Sequence, residues 1–432
     1  DTSMIDLPFP TDPTSYQYLQ GYYDDKQGNQ NKFYWGADGT TDFVSYKNNI
    51  KNIWLTRKYQ TPENVELSNT FEPYYHSKVE FSQIPNLEKL VINPARYGNG
   101  RNEFDEAGEW ASCSSMVGYY IGLYLSKDMS ASGNKGSKIK TLIANDSSID
   151  AVCTPMQYFN SSVLKDLEVV HVSNNELYRL DISHDNKIRE IRAENNKLGY
   201  TEGTSWIGFE GYPNTQEHFP MYRLSKVQRV ILSNNDIKSL DTQSVKFNRL
   251  TSLLASNNPN LNNLELNAPL LEYLDLSGCG LGAGIVLENV SNIKQIILRD
   301  VTQLGSTEGS FHFVLGNNIA SNLQSLILTN SKIKLLNLGA STQEGWGDSN
   351  IVGVYNEYGN EFLNLKYIDL SNNKNLSRVE LPKPSHSYSD SNKEYIEYLN
   401  VSGTSIGENI DEFFGQSAFL SPNSYPNGHR LE

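Results

Sequence analysis

From about residue 85 a nine-residue phrase returns along the chain: apolar, two variable, apolar, variable, apolar, two variable, then Asn or a small substitute. It reads LEKLVINPA from Leu87, IKTLIANDS from Ile139, LEVVHVSNN from Leu167 and IREIRAENN from Ile188. It continues as VQRVILSNN from Val227, LTSLLASNN from Leu250, LEYLDLSGC from Leu271 and IKQIILRDV from Ile293, and ends as LQSLILTNS from Leu323, LKYIDLSNN from Leu365 and IEYLNVSGT from Ile396. IKNIWL from Ile50 reads as a degenerate first copy. The shortest intervals between copies are 21 to 23 residues, and the longer ones are the same unit carrying insertions.

Each phrase predicts a short strand. Alternate strand residues point to opposite faces, so the fourth and sixth positions, such as Leu274 and Leu276, enter the core. At the ninth position the chain turns away. A buried Asn there can hydrogen-bond loop backbone groups that would otherwise be unsatisfied. Asn175, Asn196, Asn235, Asn258 and Asn373 hold this place, and Cys279 holds it once. A second apolar phrase often follows, as LYRLDI from Leu177, LNNLEL from Leu261, IKLLNL from Ile333 and LSRVEL from Leu376. A 21-residue unit has room for a strand, a turn and a second extended or 3-10 segment, but none for a long helix.

With these phrases in place, the chain resembles the leucine-rich repeat family, above all its short-repeat bacterial cell-surface kind. The resemblance spans roughly residues 85 to 410. It implies an α/β-class, right-handed solenoid with a parallel sheet on its concave face, an extended or 3-10 convex side, and binding rather than catalysis. The irregular repeat lengths depart from the family. Residues 1–48, rich in Tyr, Gly, Asp and Pro, are expected to cap a solenoid of residues 49–410, and residues 411–432 to close its other end. Aromatic insertions at 199–226, 302–322, 339–364 and 382–395 follow the turn or second segment of their coils, where they pack back or meet a partner.

Composition narrows the function. The chain holds 36 basic and 50 acidic residues, a net charge of −14, which repels phosphate backbones and speaks against general nucleic-acid binding. Its longest apolar run, Met116 to Leu125, is about half of what a bilayer span needs. The sequence opens at Asp1 rather than Met, which fits an export signal removed ahead of this numbering, and an extracellular or cell-surface location. Three cysteines form no disulfide framework, and the sequence leaves the pairing of Cys113 with Cys153 open. Asn, at 48 residues, outnumbers even Gly at 31.

Chemistry-bearing motifs are weak. SGCGLGAG imitates a dinucleotide fingerprint, with Gly278, Gly280 and Ala283 and Asp300 downstream. The next strand phrase begins at Ile293, so these glycines fall in an ordinary repeat turn. Asp24, Asp25 and Asp38 lack the spacing of a calcium loop, and GNKGSK lacks that of a phosphate loop. The seven His are scattered; His171 falls on a strand's exposed face. No catalytic residue, cofactor or metal is expected.

The third, fifth and seventh positions face outward. Tyr273 with Asp275, Tyr367 with Asp369 and Tyr398 with Asn400 set an aromatic beside a polar group, the pairing that suits protein or sugar surfaces. Ile231, Leu254, Ile297 and Ile327 are expected to supply apolar contact between them, and Arg192 and Arg229 charged contact. The expectation is a monomeric, non-catalytic protein binding a protein or surface glycan. Its rivals are an enzyme with a site in the first 140 residues or the insertions, and a structural spacer.

Overall fold

The computed structural model describes residues 4–6, 19–24, 30–35, 51–55, 87–92, 138–145, 158–160, most of 166–199, 218–306, 313–315, 322–338, 353–356, 362, 364–381 and 396–405. The chain divides into two units, Asp1–Gln216 and Glu217–Glu432.

In the first unit the strands are β1 (Met4–Asp6), β2 (Leu19–Asp24), β3 (Gln30–Trp35), β4 (Asn52–Leu55), β5 (Lys89–Ile92), β6 (Thr141–Ala144), β7 (Tyr158–Asn160), β8 (Val169–His171), β9 (Arg179–Asp181) and β10 (Glu190–Arg192). β4, β5, β6, β8 and β10 are the strands of successive phrases and pair in parallel, each with the next. The degenerate phrase at Ile50 therefore supplies a strand paired like the others. Within the expected cap, β1 adds to β4 in parallel, and β2 and β3 follow as an antiparallel hairpin. β7 and β9 form a separate parallel pair.

The second unit holds β11 (His218–Phe219), β12 (Arg229–Ile231), β13 (Ser239–Leu240), β14 (Ser252–Leu254), β15 (Asn263–Asn267), β16 (Tyr273–Asp275), β17 (Gly284–Glu288), β18 (Gln295–Leu298) and β19 (Phe313–Leu315). It continues with β20 (Ser325–Leu328), β21 (Leu335–Asn337), β22 (Gly353–Asn356), β23 (Tyr367–Asp369), β24 (Arg378–Glu380) and β25 (Tyr398–Asn400). The phrase strands β12, β14, β16, β18, β20, β23 and β25 make one parallel sheet. The second apolar phrases at Leu261, Ile333 and Leu376 join β17 and two strands of the expected insertions, β19 and β22, in another parallel sheet, ordered β15–β17–β19–β22–β21–β24. Among the described residues the only helical element is a 3-10 turn, Met221–Arg223.

The register follows from burial. Positions one, four, six and nine of the phrase face inward, as Leu271, Leu274, Leu276 and Cys279 do in one coil, none more than 1% exposed. The same four positions are buried in the coil of Leu250, Leu253, Ala255 and Asn258. Leu264 and Leu266 of the second sheet close the core from the other side. At the strand's entrance the second and third residues both donate to one carbonyl of the preceding coil: Glu272 N and Tyr273 N reach Thr251 O at 2.9 and 3.2 Å. Side chains at the second position add ion pairs, Lys294 to Glu272 at 2.8 Å and Lys140 to Glu88 at 3.1 Å.

The ninth position works as expected. Asn373 Nδ2 donates to Leu328 O of the preceding coil at 2.7 Å and to Leu370 O of its own at 2.8 Å, while its Oδ1 accepts from Ser331 N and Oγ. Asn258 repeats the pattern with Leu232 O, Ala255 O and Ile237 N. Cys279 substitutes a thiol, its Sγ donating to Ala255 O at 3.1 Å, and burial pushes its pKa up to about 12.

The glycines of SGCGLGAG serve coil packing. Gly278 sits at φ +69°, and a Cβ there would lie 2.4 Å from Asn257 Oδ1. At Gly280 a Cβ would lie 2.6 Å from Pro259 O. Two of the insertion aromatics, Phe219 and Phe362, are packed inward at 1% and 7% exposure. Tyr222, of the 199–226 insertion, is partly exposed with the Arg223 guanidinium 5.5 Å from its ring centroid, and Phe313 and Tyr355 lie in β19 and β22. Trp206, Phe209, Tyr212, Phe311, Trp346, Tyr358, Tyr388 and Tyr395, residues 411–432, Cys113, Cys153, Asp25 and Asp38 lie outside the described residues.

Candidate recognition face

Strand alternation puts the third, fifth and seventh residues of each phrase on the outward face of the sheet. In the second unit, Tyr367 and Tyr398 are paired in register, and so are Asp369 and Asn400. The two rings stack with centroids 4.4 Å apart and planes 5° from parallel. Partial burial, and then the neighbouring Tyr398, hold the Tyr367 phenol above its ordinary pKa, so it is neutral at pH 7. Asp369 Oδ1 accepts from Ser371 N at 3.0 Å, and Asn400 Oδ1 from Ser402 N at 3.0 Å. Asp275 Oδ1 takes both Ser277 N and Ser277 Oγ, at 2.9 and 2.7 Å. These fifth-position groups therefore hold the turn that leaves their own strand, a local Asx arrangement.

Tyr273 is the more exposed of two large hydrophobic side chains that stand out among the described residues, at 44% against 42% for Leu270. It stands three strands from Tyr367, roughly 14 Å at about 4.8 Å per strand, with Gln295 and Ser325 between them in register. Ile297 and Leu254 are partly exposed beside Asp275, and Ile231 lies beyond Leu254. Arg229 is exposed, opposite Ser252. Ile327 corrects the expectation: at 4% exposure it offers almost no contact area. It is held in register between Ile297 and Asp369.

Arg192 belongs to the first unit and to a different cluster. Its Nε donates to Glu190 Oε1 at 2.8 Å, and His171 Nε2 lies 3.0 Å from the same oxygen. Burial lowers the His171 pKa and outweighs the opposing pull of Glu190, so the imidazole is neutral at pH 7. Burial resists ionisation of Glu190, but hydrogen bonds from Arg192 and His171 prevail and keep its pKa low. On the seventh position, Ser173 Oγ and Glu194 Oε2 are buried without a hydrogen-bond partner. Among the described residues no three His, Cys, Asp or Glu side chains are grouped to hold a metal, and no helix is long and apolar enough to cross a membrane.

Sequence reading missed a second ladder, one residue earlier. The eighth position is left-handed in coil after coil: Asn174, Asn195, Asn234, Asn257, Asp300, Asn330 and Asn372 have φ between 52° and 61°, and Gly278 and Gly403 about 70°. Only Gly, Asn and Asp visit that region routinely. The side chains also link successive coils, Asn195 Nδ2 to Asn174 Oδ1 at 2.5 Å and Asn257 Nδ2 to Asn234 Oδ1 at 2.7 Å. The signal was present, because every one of those eighth residues is Asn, Asp or Gly.

No known family profile matches the chain, and no curated protein matches it. Among solved structures, the functional domain of InlJ from Listeria monocytogenes, described as including a cysteine ladder, is similar at 15% identity with a TM-score of 0.25. The similarity covers 75% of this chain and 66% of that one, just under two thirds of its length. A likeness that loose carries no argument about function.

Proposed function

We propose that this chain is a leucine-rich-repeat protein, displayed on or released from a bacterial cell, that recognises a protein or glycan through the outward face of its phrase strands. In this reading the face is the concave side of a right-handed solenoid, the chain is a monomer, and no catalysis is involved. The stacked Tyr367–Tyr398 pair carries the reading. It sets flat apolar area and two hydroxyls beside turn-held Asp369 and Asn400, a mixture that binds at low ordering cost. The flanking positions support it, since Ser325, Gln295 and Ile297 bring no charge. The reading does not draw on Arg192 of the first unit, whose guanidinium is engaged by Glu190.

A glycan array and a pull-down of surface proteins with the purified chain will identify the partner. Tyr367→Ala with Tyr398→Ala should then weaken binding at least ~10-fold, the loss of about 1.4 kcal/mol, with little change in melting temperature. Unaltered affinity in that double variant would move the site off this face. Retained binding by His171→Ala is the expected outcome under recognition through the tyrosines.

A further inference from the structure

The Tyr367–Tyr398 pair has a property that does not depend on any partner. We propose that these two residues are a built-in site of oxidative cross-linking, joining β23 to β25 through a dityrosine bond. Three observations point to it. The rings are held 4.4 Å apart at 5° from parallel. Parallel pairing of the two strands fixes their register, so the two residues cannot drift along one another without breaking the ladder. Both side chains are partly exposed, within reach of a diffusing oxidant.

The chemistry fits that arrangement. One-electron oxidation of a phenol, with loss of its proton, leaves a tyrosyl radical whose spin lies in the π system at the oxygen and the carbons ortho to it. Two such radicals couple along the normals to their rings, so a face-to-face pair is already in the reactive orientation. The new bond joins one ortho carbon of Tyr367 to one of Tyr398, and the hydrogens on those carbons then move to the phenolic oxygens. In sum, two electrons and two protons leave the protein. The oxidant is a haem peroxidase charged with hydrogen peroxide: two one-electron oxidations consume one peroxide, which takes up the two electrons and two protons and yields two waters. Tyr273, on the same described face, has no tyrosine beside it: it is flanked by Ser252 and Gln295.

The product would be a covalent staple closing the stretch that carries the 382–395 insertion. It would stabilise the fold chiefly by restricting the unfolded chain, as a disulfide does.

The test treats the intact chain with peroxidase and a limited amount of hydrogen peroxide, folded and in urea, and follows dityrosine fluorescence and peptide masses. The expected result is that the first cross-link in the folded protein joins the peptides bearing Tyr367 and Tyr398 within one chain, with the mass lower by two hydrogens. In urea that preference disappears. Tyr367→Phe, which keeps the ring, abolishes the product, and the cross-linked wild type melts higher. The proposal is overturned if the folded chain first links other tyrosines or separate molecules, or if the 367–398 product forms as readily in urea. Should Tyr367→Phe fail to fold, the comparison of folded with unfolded wild type decides alone.

Discussion

In the coils whose ninth residue is Asn, two adjacent residues hold the turn, for different reasons. The ninth is buried and acts through its side-chain hydrogen bonds; the eighth acts mainly through its backbone angle. Replacing Asn373 by Ala strands Leu328 O, Leu370 O and Ser331 N at once. Buried groups left unpaired cost about 1–3 kcal/mol, so urea unfolding of Asn373→Ala should show a loss in that range. Asn248→Ala, at an exposed position, should show almost none. At the eighth position the order of cost is different: Asn234→Gly should be milder than Asn234→Val, because a branched residue at φ 57° pays about 1–2 kcal/mol for the left-handed region. Equal losses for Gly and Val would mean that the side-chain ladder, rather than the angle, sets the requirement.

Cys279 gives the residue scale a pH dependence. Its ordinary value of 9.0 rises to about 12 in the fold because the thiolate would be desolvated. Above the unfolded value the unfolded chain ionises while the folded one does not, so the contribution is complete below about pH 9 and fades towards pH 12. The stability difference between wild type and Cys279→Ala should therefore shrink across that window. Native alkylation at pH 8 should be slow, becoming fast only in denaturant. Rapid native labelling would contradict the burial and with it the register of this coil.

At the scale of the element, what could be read in advance was whatever repeats. The inward positions came directly from the spacing of apolar residues, and so did the second strands at Leu261, Ile333 and Leu376, because burial imposes a period that survives in any single copy. The in-register meeting of Tyr367 with Tyr398 followed from equal phrase positions. What could not be read was neighbourhood. Ile327 occupies the same phrase position as Ile297 yet is shielded, and the commitment of Asp275, Asp369 and Asn400 to their own turns depends on rotamers that a pattern does not carry. Each coil rests on two others, which makes interior coils the sensitive ones. Leu274→Ala, in β16 between β14 and β18, should cost about 2–5 kcal/mol in thermal or urea unfolding. Val401→Ala, following β25 and already 7% exposed, should cost distinctly less.

At the scale of the whole molecule, charge and recognition face pull in different directions. The chain carries a net charge of −14, whereas beside the tyrosine pair the strip proposed to bind sets one acid, Asp369, against one base, Arg299, and two of its acidic or amide groups are occupied with their own turns. Long-range attraction would favour a basic partner, and such attraction is screened at about 10 Å in 0.1 M salt and about 3 Å in 1 M salt. Contacts to a stacked aromatic pair are short-ranged and largely indifferent to salt. Once a partner is found, its affinity should therefore change by less than about 3-fold between roughly 0.1 and 1 M salt, with any loss falling on the association rate. A steep loss of affinity, combined with normal binding by the Tyr367→Ala, Tyr398→Ala variant, would assign recognition to the acidic surface at large and remove the sheet face from it.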